Sequence, residues 1–168
     1  MEMAIKPPTN NIKVPLWIPF FLALFAFLFS SAFLPSIRLF YFAPFLAIVL
    51  QRKPLQSSLW IAAFCGLFYD LFDSGVRFGL YSLLTVGCTL VSYRCKRWFY
   101  EERLFSIPLY TALISILFGL LQCLFLPFHL NHLVHFLIFF PLFDAIYAFL
   151  WFTCPIILYN RLQKRPST

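Results

Sequence analysis

Two runs limit what this chain can become. Val14 to Phe33 and Leu104 to Leu126 each pass at least 20 residues without a charge. A helix of about 20 residues crosses the ~30 Å hydrocarbon core of a bilayer. A soluble domain of 168 residues could not bury such runs, because a small domain leaves much of its surface wet. The composition agrees, with 62% hydrophobic and 11% charged residues, against roughly 25% charged in soluble domains. The runs do not alternate polar and apolar residues, which argues against a barrel of strands and leaves helices. The expected fold class is all-α: a polytopic membrane protein, a compact bundle of six transmembrane helices, some of them short.

Residues 1–13 form a polar lead with Lys6, Lys13 and the Pro7-Pro8 pair. One transmembrane domain, residues 14–158, follows, with spans at about 14–33, 34–50, 55–72, 78–93, 104–126 and 133–158. The first run exceeds the apolar core of a cleaved signal, so it reads as a span. The second is the weak one. Leu39 to Leu50 reaches only about 18 Å as a helix, and Pro44 interrupts it. It crosses only by recruiting residues from Leu34 onward, by tilting, or by thinning the bilayer. A re-entrant second segment is the rival layout. Residues 159–168 are a basic tail.

The charge pattern gives an orientation. With six spans, eleven of the 13 Lys and Arg residues fall on the side of the termini, leaving Arg38 and Arg77 on the other. Positive loops stay in the cytoplasm, which places both termini there. The net charge of +7 is therefore read as loop asymmetry and not as a nucleic-acid surface. Trp98, Phe99 and Tyr100 suit the interfacial aromatic belt. The cysteines, at 65, 88, 95, 123 and 154, are odd in number and form no C-x-x-C pair. They read as small apolar filler, not as a disulfide or zinc framework.

Polar residues at membrane depth carry the functional reading. Gly66 to Leu80, GLFYDLFDSGVRFGL, closes one span and opens the next. Gly66 and Asp70 share a helix face, and a glycine there lets a neighbouring helix approach closely. Asp70 either pairs with Arg77 across the turn, accepts backbone N–H groups where the next helix begins, or simply meets water at the interface. Asp73-Ser74-Gly75 has the chemistry of a turn, with Gly75 at positive φ. Gly79 permits a turn or tight packing at the helix entrance, and Arg77 can snorkel outward. Asp144 is the deepest ionisable residue. It must be protonated, paired or open to a wet cavity, and the expectation is pairing within the bundle or with a partner. A transport role is the rival, weakened because spans one, two, four and five offer no second deep acid or base.

His129, His132 and His135 are spaced by three. Three imidazoles can hold zinc, yet no carboxylate or cysteine stands near them in the chain, so they read as interfacial polar residues. No G-x-S-x-G, H-E-x-x-H or phosphate-binding glycine loop is present. No catalytic residue, metal or cofactor is expected.

In Gly66-Leu67-Phe68-Tyr69-Asp70-Leu71, then Asp73-Ser74-Gly75, then Gly79 and Leu80-Tyr81-Ser82-Leu83, the chain resembles the rod shape-determining protein MreD family. The motif covers about 20 residues; the length, the basic loop after the fourth span and the basic tail also fit the family layout. The high Phe content is a departure, and Asp144 matches no family position. The resemblance implies a non-enzymatic scaffold of the bacterial cell-wall elongation machinery in the inner membrane. It implies an MreC-like bitopic partner, together with MreB, RodA and a class B penicillin-binding protein. It also implies a fold similar to the S-components of energy-coupling-factor transporters. That similarity sustains the alternative function, a small-solute, vitamin-like capture subunit or carrier.

Overall fold

A computed structural model describes residues 15–33, 39–72, 78–96, 106–125 and 135–163. Every element within them is helical: α1 (Trp17–Phe33), α2 (Ala43–Arg52), α3 (Leu55–Phe72), α4 (Leu80–Cys95), α5 (Ser106–Phe125), α6 (Phe140–Ala148) and α7 (Cys154–Gln163). A wide π-helical turn at His135–Phe139 leads into α6, and a second at Phe149–Thr153 joins α6 to α7, making one continuous rod. Three stretches are long and apolar enough to cross a membrane: Leu55–Phe72, Ser106–Phe125 and Leu137–Leu158. The apolar parts of α1 and α2 are shorter.

Large apolar side chains cover the outside of the bundle as well as its core. Phe21 and Phe25 on α1, Trp60 and Phe64 on α3, Leu83 and Leu90 on α4, Leu109 and Leu124 on α5, and Leu142 and Leu150 on the last rod are all exposed. Buried among the apolar core residues are Ser58, Thr85, Thr89, Ser92, Thr111, Ser115, Asp70 and Asp144. Apolar patches of this extent on every outer helix suit lipid and not water.

At the centre lies α2. It touches α1, α3, α4, α5 and α6, and every residue from Ala43 to Leu50 is buried. A helix apolar on all faces must be covered on all faces. At the expected second span, 34–50, the helix is Ala43–Arg52, only ten residues, about 15 Å long against about 27 Å for the 18 residues of α3. Pro44 does not interrupt this helix. It sits in the first turn, where its missing N–H costs nothing and its fixed φ favours helix entry. At the other end Lys53 is extended, φ −108° and ψ 156°, as residues before proline prefer. Pro54 then starts α3 by accepting the Ser58 N–H at 3.1 Å.

Prolines also explain the wide turns in the last rod. In a regular α-helix the rings of Pro141 and Pro155 would strike the carbonyls of residues 137 and 151. Each of those carbonyls lies inside a π-helical turn. The wider turn relieves the clash without breaking the helix.

Candidate functional site

The α3–α4 hairpin is built on Gly66. A Cβ there would lie 2.4 Å from Ser82 Cα and 2.7 Å from the Tyr81 carbonyl oxygen. Only a missing side chain allows that approach. Hydroxyls of α4 then bond to α3 carbonyls: Thr85 donates to Ala62 at 2.9 Å and Ser82 to Ala63 at 3.2 Å.

One turn beyond Gly66, Asp70 reaches the start of α4. Its Oδ1 accepts the Tyr81 N–H and its Oδ2 the Ser82 N–H, each at 3.0 Å. These are orphan donors of the first helical turn, and the residue at the usual capping position, Gly79, has no side chain to serve them. A carboxylate from the preceding helix does so, and its charge meets the positive end of α4. Gly79 has φ +91°, a conformation that glycine adopts without strain. Asp73, Gly75 and Arg77 lie outside the described residues.

Asp144 forms the second polar node, in the middle of the bundle and 2% exposed. Its Oδ1 accepts the Phe40 N–H at 3.0 Å, and its Oδ2 accepts the Ser115 hydroxyl. Phe40 lies in the irregular stretch that leads into α2. Because α2 is only about half as long as α3, this stretch is non-helical backbone buried in the bundle, where polar groups need partners in protein. Asp144 supplies one such partner beside the positive end of α2. Neighbouring turn bonds complete the entry, including Ala43 N–H to Phe40 O at 2.9 Å.

Around this node the rings are densely packed. Phe40 stacks on Phe118 with centroids 4.3 Å apart. Tyr41 meets Tyr147 edge-on at 6.0 Å, and its hydroxyl is hydrogen-bonded to Ser30. Tyr69 touches Phe27, Phe40 and Phe42. The Asp144 carboxylate thereby ties the last rod to α5 and to the entry of α2. Sequence reading singled out Asp144 but gave no role to its partners Phe40 and Ser115. Its one available signal for a helix contact was Ser115 at mid-run in α5.

The basic end of the bundle is tied separately. Lys96 donates to the Lys53 carbonyl at 3.4 Å and stands 5.2 Å from the Tyr93 ring centre. Partial burial lowers its pKa from the usual lysine value. Gln51 donates to Ser106 at 3.2 Å, joining α2 to α5. Among the described residues no group of three His, Cys, Asp or Glu side chains could hold a metal. His129 and His132 lie outside those residues, and His135 begins the first π-helical turn.

Comparison with family models, with curated proteins and with solved structures finds no match to this chain.

Proposed function

We propose that this protein is a non-enzymatic membrane scaffold of the MreD type, acting in bacterial cell-wall elongation through an MreC-like bitopic partner. The observation that carries the reading is the convergence of Gly66, Asp70 and Gly79 on a single helix junction. Gly66 admits α4, Gly79 turns the chain, and Asp70 caps the new helix. The residues that carry the family resemblance thus have architectural work, as a scaffold requires.

In this reading all six segments cross the inner membrane, with α2 crossing as a half-helix completed by the backbone before it. Both termini and the end carrying Arg52, Lys53, Arg94 and Lys96 face the cytoplasm. That basic end meets anionic lipid or a cytoplasmic filament. The partner's single helix packs on an outer face by shape, since lipid removes the hydrophobic drive between helices. MreB, RodA and a class B penicillin-binding protein complete the assembly. The test is isolation from native membranes together with depletion: an MreC-like protein should co-purify, and depleted rods should round up.

The second reading, a solute-capture subunit, draws on the polar cluster at Asp144. Saturable thermal stabilisation by a vitamin-like solute would favour it over the scaffold.

A further inference from the structure

Lys96 crosses from the end of α4 to the turn between α2 and α3. Its ammonium donates to the Lys53 carbonyl at 3.4 Å and lies 5.2 Å from the centre of the Tyr93 ring. The carbonyl and the ring hold that charge in place. The contact brings two lysines to one corner of the bundle, and Lys53 is exposed. Beside this corner begins an apolar stripe. Trp60, Phe64, Leu67 and Leu71 are all exposed, and their positions fall within about 60° of one another around α3. Trp60 follows Lys53 by seven residues, a depth at which an indole suits the boundary between headgroups and tails. Moving away from the corner, the surface thus presents positive charge, then an indole, then hydrocarbon.

We infer that this face of α3 and α4 holds an anionic phospholipid, its phosphate at Lys53 and Lys96 and its acyl chains along Trp60, Phe64 and Leu67. An anionic phospholipid matches the surface in the same order: a negative headgroup, an ester zone and hydrocarbon tails. A free phosphate engages only the lysines, and a lipid without net charge gains little from them. Lysines at a bilayer surface favour anionic lipid, and their long stems let the ammonium reach the headgroup level. The site needs only a chain that spans a bilayer, whether as a scaffold or as a capture subunit.

Brominated lipids test it, because bromine on an acyl chain quenches an indole that it touches. The isolated chain is reconstituted in phosphatidylcholine vesicles with equal mole fractions of either brominated phosphatidylcholine or brominated phosphatidylglycerol. The Trp60 signal is the difference between wild type and Trp60→Phe. Phosphatidylglycerol should be preferred beside Trp60, by about five-fold for each lysine. Lys53→Gln and Lys96→Gln should each cut the preference about five-fold, and the double variant should abolish it. Quenching by brominated phosphatidylcholine should stay at the wild-type level, which shows that the variants remain inserted. Equal quenching by the two lipids overturns the site, as does a preference that survives both substitutions. A preference removed by inorganic phosphate at constant ionic strength also overturns it, by marking a free-phosphate site. So does a Trp60 shielded from both lipids, since protein then covers the stripe.

Discussion

The Oδ1 of Asp144 accepts the backbone N–H of Phe40 at 3.0 Å, across 104 residues of chain. This bond lets the chain end a helix inside a membrane body. A half-length α2 needs its entry turn satisfied inside the bundle, and the last rod brings a carboxylate to that point. Asp144→Ala should leave the Phe40 amide and the Ser115 hydroxyl buried and unpaired, at about 1–3 kcal/mol for each. Asp144→Asn should cost less, because the amide can accept from Phe40 and donate to Ser115. Thermal unfolding of the solubilised variants gives the order wild type, Asn, Ala from most to least stable.

At the other carboxylate the loss should be local. Asp70→Ala removes the acceptor for two amides and should cost about 1–2 kcal/mol, the range for losing a helix cap. Hydrogen exchange should accelerate first at Tyr81 and Ser82, with the amides near Ser92 little changed.

The glycines separate by what surrounds them. Gly66→Ala places a methyl group 2.4 Å from backbone at Ser82, so α3 and α4 must part, at about 1–3 kcal/mol or more. Gly87→Ala meets only the flexible tip of Leu121 at 3.7 Å. It should be neutral or should stabilise the helix by up to about 1 kcal/mol. Gly79→Ala has open space but a φ of +91°, and should lose about 1 kcal/mol to backbone strain. Unfolding midpoints of the three variants should rank Gly87→Ala above Gly79→Ala above Gly66→Ala.

Cysteine chemistry reports sidedness once Cys123 and Cys154, partly exposed as Cys95 is, are replaced by Ser. Cys95 is half-buried at the basic end of α4, and Cys65 and Cys88 are buried. If that end is cytoplasmic, a membrane-impermeant thiol reagent should spare Cys95 in intact cells and label it after permeabilisation. Labelling in intact cells would reverse the orientation.

The parts of this architecture set by local pattern were readable from the chain. The apolar runs marked the helices, and Gly66 and Asp70, four residues apart, marked one face of a junction. Accepting N–H groups at the next helix start was one of three readings open for Asp70, and it is the one the geometry displays. Pro44 was misjudged, because a proline that breaks a long run and a proline that opens a short helix look alike until the helix start is known. Pro141 and Pro155 signal disturbance, but only the neighbouring carbonyls decide between a kink and a wide turn. The partners of Asp144 were hidden for a different reason. A backbone amide in a different segment carries no residue-type signal, and Ser115 is one serine within a long apolar run.

Gentle solubilisation of native membranes, followed by affinity isolation and identification of stoichiometric companions, tests the scaffold most directly. The account predicts a bitopic MreC-like protein in the isolate and no solute that stabilises the purified chain saturably. Recovery of the chain alone, with such a solute bound at the Asp144 cluster, would contradict it.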